Sequence, residues 1–511
     1  LFLLFLAGFV VWLIYLARYF HHRSLTISAP FPYWKRGGAV LIGACLIGLC
    51  IFGIRGRTGY NPIKVSAAYF CQDAFLNQLG VSPTFNLLTS VMDDMRPENK
   101  YLHLMDEQEA ITKAQALLNR PGDANVSPLA VYRRAAKADS VQQRRPNVVL
   151  IMMESMSAKF MKHFGQSETL TPFLDSLYTR SISFRNFYSA GIHTNHGLYA
   201  TLYSFPAMMK RNLMKGSVIP RYSGLPTVLQ ENGYCNLFFM THESQYDNMN
   251  AFLRTNGFDE IYAQENYPSE KVVNSFGVQD DFMYQYALPI LNERAGTGNP
   301  FFSVLLSISN HPPYVIPPYF HPHSDVLEEQ IVEYADWSIR QFMQAAEKQP
   351  WFDNTIFVFL GDHGKMVGTP ECEMPQSYNH IPLMIYGKDI KPGVYDGFGG
   401  QVDVSPTLLG LLNISYLQNN FGVNLLEEER PCMFFTADNL IGARDSVNMF
   451  IYSPDSQQEF KYKLEEGKLH AATGTDEEAF RNLKDYCFSM LQSTESLVKE
   501  HKTLDKVSVK K

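Results

Sequence analysis

The sequence predicts an α/β chain with a largely parallel central sheet, N-terminal transmembrane helices and a small C-terminal α+β subdomain. Three observations carry this. Two uncharged apolar segments open the chain, six short apolar runs alternate with helical patterns between residues 147 and 386, and strand-like runs followed by one amphipathic pattern close it. With 511 residues, 46% hydrophobic and 13% aromatic, the chain can bury a large core in more than one structural unit.

Residues 1–17 (LFLLFLAGFVVWLIYLA) and 37–54 (GGAVLIGACLIGLCIFGI) each approach the length a helix needs to cross a bilayer, and neither has a polar face. Two spans within residues 1–55 are expected, and because the chain opens on Leu1, further sequence upstream is expected as well. Arg18, Arg23, Lys35 and Arg36 lie between the spans, while Arg55, Arg57 and Lys64 follow the second. The slight excess in the intervening loop favours a cell-membrane, multi-pass chain whose following domain is extracytoplasmic. Residues 56–142 read as a juxtamembrane connector with a helix near 104–119, a PGD turn and a polar RRAAKADSVQQRRPN stretch.

From 143 to 430 the pattern is that of the main α/β domain. NVVLIMM (147–153), ISFRNFY (182–188), YCNLFFM (234–240), FFSVLLSIS (301–309), TIFVFL (355–360) and IPLMIY (381–386) suit strands buried on both faces. Between them, 171–180 and 328–345 carry helical spacing, the latter through Ile331, Tyr334, Ala335 and Phe342. Residues 431–511 hold MFF, NMFIY and EFKYKL, read as a small meander, then an amphipathic helix near 476–500. The net charge of -7 and the lack of a basic stripe with interleaved aromatics exclude nucleic acid as a partner. Seven cysteines show no CxxC pair or zinc spacing and so point to no particular redox compartment.

In open α/β sheets ligands gather at the carboxyl ends of the strands, so the polar residues that end the apolar runs matter most. NVVLIMM ends in Glu154, YCNLFFM in Thr241 and His242, FFSVLLSIS in Asn310 and His311, and TIFVFLG in Asp362 and His363. A carboxylate and an Asp-His pair at one rim supply oxygen and imidazole ligands suited to Zn²⁺ or Mn²⁺, although any one alone also suits a cap or a turn. Thr194, in SAGIHTNHGLYATLYSFP, precedes a helical run. It reads either as a plain N-cap or as a hydroxyl nucleophile favoured by the helix dipole and an adjacent cation. His193 and His196 flank it, as phosphate contacts or as exposed loop histidines, and Asn379-His380 offers a phosphate contact or a further metal ligand.

NVVLIMMES, the Thr194 segment, FLGDHG (359–364) and QVDVSPTLLGLL (401–412) resemble the lipoteichoic acid synthase branch of the sulfatase/alkaline-phosphatase superfamily, over roughly residues 145–425. The resemblance implies an alkaline-phosphatase-like sandwich in which Glu154, Thr194, Asp362 and His363 hold one divalent metal, usually Mn²⁺, with Thr194 also the nucleophile. It implies that His311 and His242 contact a phosphoglycerol group. The expected reaction moves a phosphoglycerol-type head group from a phospholipid to a glycan or glycolipid acceptor, or to water, through a phospho-threonine. One departure bears on the head group: the family's Trp and Arg beyond the His242 position are missing from HESQYDNMNAFLR until Arg254. Three alternatives stay open. A sulfatase needs a C/S-x-P-x-R motif, whereas Ser204-Phe205-Pro206-Ala207-Met208 ends in Met; a zinc phosphoethanolamine transferase would use His380 as a further ligand; and a non-catalytic domain would only bind a polymer or partner.

Overall fold

The computed structural model describes residues 11–12, 14–19, 21–22, 33–58, 61–96, 99–120, 132–135, 145–216, 219–465, 467–472 and 477–503, without the side chains of 33–36, 39, 74, 94 and 132–135. The chain divides into two compact units, Leu1–Ile63 and Lys64–Lys511. In the first, Tyr33–Arg55 forms a 23-residue helix. Among the described residues no helix is long and apolar enough to cross a membrane. Most of the expected span 1–17 lies outside them, as do the PGD turn and most of the polar stretch that follows it.

The second unit is built on an eight-stranded sheet. Its strands are β1 (Asn147–Met153), β2 (Ile182–Tyr188), β3 (Cys235–Met240), β4 (Glu260–Tyr262), β5 (Phe301–Leu306), β6 (Thr355–Gly361), β7 (Leu383–Tyr386) and β8 (Gly393–Gly400). Their order is β8-β2-β7-β6-β1-β5-β3-β4, and every pairing is parallel except the two made by β7. The six expected strands are all present. β1 is buried along its whole length, and alternate residues feed two cores. Val148, Leu150 and Met152 join one with Leu198, Phe238, Phe252 and Leu408, while Val149, Ile151 and Met153 join the other with Leu174, Tyr284, Ile339 and Phe342. Helices therefore cover both faces, as continuous apolar strands require.

A second, antiparallel sheet runs in chain order through β9 (Met433–Thr436), β10 (Ile441–Arg444), β11 (Asn448–Ser453), β12 (Gln458–Glu465) and β13 (Lys468–Ala471), followed by the Glu477–Lys499 helix. The stretch read as a connector is partly built into this unit. Its Glu107–Leu118 helix lies along Glu477–Lys499, with Lys113 Nζ 3.0 Å from Asp485 Oδ2, and Leu104 N donates to Gln492 Oε1 at 2.7 Å. Tyr132–Ala135 pairs antiparallel with Tyr416–Asn419.

Candidate metal and nucleophile site

Strand register places the first two carboxylates. Met153 is paired with Gly361 and Met152 with Leu306, so Glu154, Asp362 and Ser307 emerge side by side at the carboxyl ends of β1, β6 and β5. Asp362 N donates to Met153 O and Ser307 N to Met152 O, both at 3.0 Å, which extends the ladder to the residues that leave it. Glu154 N donates to Ser307 Oγ at 3.0 Å, and Ser155, at φ 51°, turns the chain back so that its N–H reaches Asp362 Oδ1 at 2.8 Å. Ser155 Oγ also donates to Glu154 Oε1 at 2.7 Å.

His363 completes the group. One donor atom from each of Glu154, Asp362 and His363 lies within 4.8 Å of the others. His363 Nδ1 faces Gly364 O at 2.7 Å, which assigns the proton to Nδ1 and leaves Nε2 an acceptor. That Nε2 sits 3.8 Å from Glu154 Oε1 and 3.7 Å from Asp362 Oδ2. Asp362 Oδ2 is buried with no hydrogen-bond partner, and burial, then the Asp362 charge, pushes the Glu154 carboxyl well above its ordinary range. Two buried carboxylates, an orphaned oxygen and an acceptor imidazole directed at one point fit a divalent cation, whose charge removes the repulsion that holds Glu154 up.

Thr194 is the first residue of the Thr194–Tyr203 helix, and the N-cap is His193, whose side chain makes no capping bond. The Thr194 hydroxyl instead donates to Glu154 Oε2 at 3.4 Å. Glycine makes this approach feasible: a Cβ on Gly197 would lie 2.0 Å from Asp362 O. Gln401 fastens the same contact, donating through Nε2 to Gly361 O at 3.0 Å and Asp362 O at 2.7 Å while Oε1 accepts from Ala190 N at 2.9 Å.

The other expected site residues fall in different places. His242 is buried after β3, with Nδ1 facing Glu243 O at 3.0 Å, Nε2 without a partner, and burial pulling its pKa down to about 4. His311 has Nδ1 2.6 Å from Pro312 O and its ring packed on Phe276, and burial lowers its pKa. Its neighbour Asn310 donates to Glu154 O and Ser155 O, both at 3.2 Å, which joins the β5 loop to the carboxylates. His380 is not brought to the group. Its Nε2 faces Arg185 O at 2.8 Å, its ring stacks on Tyr188, and burial takes its pKa to about 4. His193 Nε2 lies 2.6 Å from Asp438 Oδ1, and His196 is fully buried rather than exposed in a loop.

Sequence reasoning passed over Lys365 and Asp280. Lys365 Nζ donates to Asn310 Oδ1 at 2.5 Å and Tyr314 OH at 3.3 Å, and burial lowers its pKa to about 8. Asp280 accepts from Ile308 N at 2.9 Å and Ser309 N at 3.2 Å, fixing the loop that carries Asn310 and His311. Lys365, two residues past His363, was within reach of a strand-end search; Asp280, 28 and 29 residues before its partners, carried no local signal.

A family model described as Sulfatase matches residues 146–414, more than half of the chain. Among curated proteins, lipoteichoic acid synthase 2 of Bacillus subtilis (strain 168) is 24% identical over 339 residues, 58% of this chain and 50% of that protein. Phosphoglycerol transferase I of Xanthomonas campestris pv. campestris (strain B100) is 26% identical over 331 residues, 61% of this chain and 47% of that protein. The chain thus spans about half the length of these relatives. A crystal structure of an alkaline phosphatase superfamily protein from Vibrio parahaemolyticus superposes with TM-score 0.71 at 25% identity, covering 80% of this chain and 100% of that one. The lipoteichoic acid synthase LtaP from Listeria monocytogenes shares the fold, with TM-score 0.60 at 20% identity, over 71% of this chain and 96% of that one. The strand-end carboxylates, the threonine at the helix start and these matches agree: the chain belongs to the sulfatase family, on the alkaline-phosphatase fold, with lipoteichoic acid synthases and phosphoglycerol transferases among its relatives.

Proposed function

We propose that this protein is a membrane-anchored, extracytoplasmic transferase that moves a phosphoglycerol-type head group from a phospholipid to an acceptor hydroxyl through a phospho-threonine at Thr194. The observation that carries the reading is the Thr194 hydroxyl at a helix N-terminus, 3.4 Å from a buried Glu154 that shares one focus with Asp362 and His363.

Glu154, Asp362, His363 and Thr194 would hold one divalent metal, Mn²⁺ by family likeness, which when bound supplies Lewis acidity toward the threonine hydroxyl and a phosphoryl oxygen. Thr194 Oγ1 forms a bond to phosphorus as the bond from phosphorus to the diacylglycerol oxygen breaks, the threonine proton passing to solvent and the departing oxygen taking one from solvent. An acceptor hydroxyl then attacks the phospho-threonine and Thr194 Oγ1 leaves. His311, kept neutral near pH 7 by its lowered pKa and with Nδ1 engaged by Pro312 O, offers Nε2 as the base for that hydroxyl. His242 is also neutral and offers only an acceptor nitrogen, which suits a head-group hydroxyl rather than a phosphoryl oxygen. Lys365, held by Asn310 and Tyr314, supplies positive charge beside the site.

A formylglycine sulfatase is disfavoured by the position of its nearest sequence match. Ser204 caps the opposite end of the Thr194–Tyr203 helix from the carboxylates, at φ 59°, and is buried. The test is metal content and head-group release by the full chain, beside Thr194→Ala, offered phosphatidylglycerol, phosphatidylethanolamine and an aryl sulfate in turn. Bound manganese and phosphatidylglycerol turnover lost in Thr194→Ala are expected. Sulfate release, or turnover that survives the substitution, overturns the reading.

A further inference from the structure

The segment from Ala74 to Met92 (AFLNQLGVSPTFNLLTSVM) contains no charged residue, yet it lies at the surface of the second unit as two well-formed helices, Ala74–Leu79 and Pro83–Asp94. Both begin at proper caps. Asp73 accepts from Phe75 N and Leu76 N, and Ser82 accepts from Phe85 N, with Pro83 at the first helical position. The second helix is amphipathic with its faces reversed. Phe85, Leu88, Met92 and Met95, at helical spacing, point outward, whereas Asn86, Thr89, Ser90 and Asp93 are the half-buried side. Phe75 and Leu79 extend the outer face, and these six side chains are between 43% and 77% exposed. Soluble monomers rarely expose so continuous an apolar patch.

We infer that this helix pair is an interfacial element that lays Phe75, Leu79, Phe85, Leu88, Met92 and Met95 into the surface of a lipid bilayer. Three features favour lipid over a protein partner. From Ala74 to Met92 no charged residue interrupts the apolar face to give a protein rim its specificity, the ion pair of Asp93 with Arg96 standing at its end. The chain just upstream is the apolar 37–54 stretch, and the cations Arg55, Arg57 and Lys64 stand between it and the pair, where anionic lipid head groups are attracted. The apolar faces of both helices are turned away from the unit that carries them, as an interfacial helix requires.

The chain that leads into the pair is fastened to the segment that follows His242. Asn77 is buried and bonds Phe70 N, Cys71 N and Cys71 O, which folds the segment on itself. Gln72 Nε2 donates to Phe258 O and Asp259 Oδ1. Asn250, in the helix that follows the His242 loop, donates to Ser66 O at 3.0 Å and Tyr69 O at 2.7 Å, and Lys64 N donates to Gln245 Oε1 at 3.0 Å. A bilayer contact at the pair is thus linked through residues 64–72 to the segment that follows His242.

The test places single tryptophans, Leu88→Trp or Met92→Trp, in the full chain reconstituted into vesicles of equal phosphatidylglycerol and phosphatidylethanolamine. The fluorescence added over wild type is compared with plain and with acyl-brominated lipids. At least twofold quenching by the brominated lipids, with a blue-shifted emission, is expected. Equal access of acrylamide with and without lipid overturns the inference, and so does protection that follows protein concentration instead of bromine, which would assign the face to a second copy. Because the readout is independent of turnover, its failure and that of the proposed reaction are separately visible.

Discussion

Replacing Gly197 by alanine tests whether the placement of Thr194 sets the rate. Gly197 lies one helical turn after Thr194, where the helix crosses the backbone of Asp362, and the added Cβ would sit 2.0 Å from Asp362 O. Contacts under 3.0 Å are essentially never seen for real Cβ atoms, and the neighbour is backbone, not a flexible side-chain end. The helix start and the Asp362 turn must therefore separate by about 1 Å, a displacement that costs on the order of 100-fold when it misaligns reacting groups. That corresponds to about 2.7 kcal/mol of barrier. Overpacking also destabilises by about 1–3 kcal/mol, which lowers Tm by a few degrees in a domain of this size. The assay is kcat and KM for head-group release, read beside Tm and bound manganese. A kcat about 100-fold lower with KM little changed is expected. A Gly197→Ala protein that keeps its metal and turns over at the wild-type rate refutes the argument that this glycine positions the nucleophile.

Three further outcomes follow from the same geometry. With Glu154 raised well above its ordinary range in the metal-free fold, its proton is bound more tightly folded than unfolded. The stability it contributes is full below the unfolded pKa of about 4.3 and is lost as pH rises through the folded value, so in EDTA Tm falls over that window. Added Mn²⁺ removes the fall and releases a proton on binding, measurable by calorimetry in buffers of different ionisation enthalpy. His311→Ala lowers the rate of transfer to acceptor by about 10²–10⁴-fold while phospho-threonine still accumulates from the lipid, detected by rapid-quench mass spectrometry. Lys365→Met lowers kcat/KM for the phospholipid by about 10–100-fold, the loss of one charge-assisted contact of about 1.5–3 kcal/mol, while manganese content is unchanged.

The sheet was legible in the sequence because strands buried on both faces must be apolar throughout, and NVVLIMM or TIFVFL has little alternative in a chain that alternates with helices. The carboxylates were legible for a related reason: an apolar strand that ends abruptly in Glu154 or Asp362 places that residue at the rim. What the sequence left hidden depends on contacts between distant segments. The pairing of Met153 with Gly361, which sets the two carboxylates side by side, spans more than two hundred residues. His380 follows the same kind of cue, standing just before an apolar run, yet β7 is the one antiparallel strand of its sheet. The start of an antiparallel strand lies at the same rim as the ends of its parallel neighbours, so position alone did not separate His380 from a ligand. Its Nε2 is taken by Arg185 O, a backbone partner that no local pattern announces.

The reversed helix Pro83–Asp94 shows the same limit from the other side. Read alone, Phe85, Leu88, Met92 and Met95 mark a core-facing stripe, and sequence periodicity reports that a helix has two faces without reporting which one meets the protein. The helix is half-buried on its Asn86, Thr89, Ser90 and Asp93 side, while Gln72 and Asn250 tie the chain that leads into the pair to residues 250–259. For the proposed reaction, whose donor is a lipid, an outward apolar stripe has a use. Burying the stripe inward would gain about 1.5–3 kcal/mol for each large apolar side chain, and that stabilisation is forgone in water unless another apolar phase receives it. The inferred bilayer contact supplies that phase, and Asn250 and Gln72 join the chain leading into the pair to the segment that follows the His242 loop.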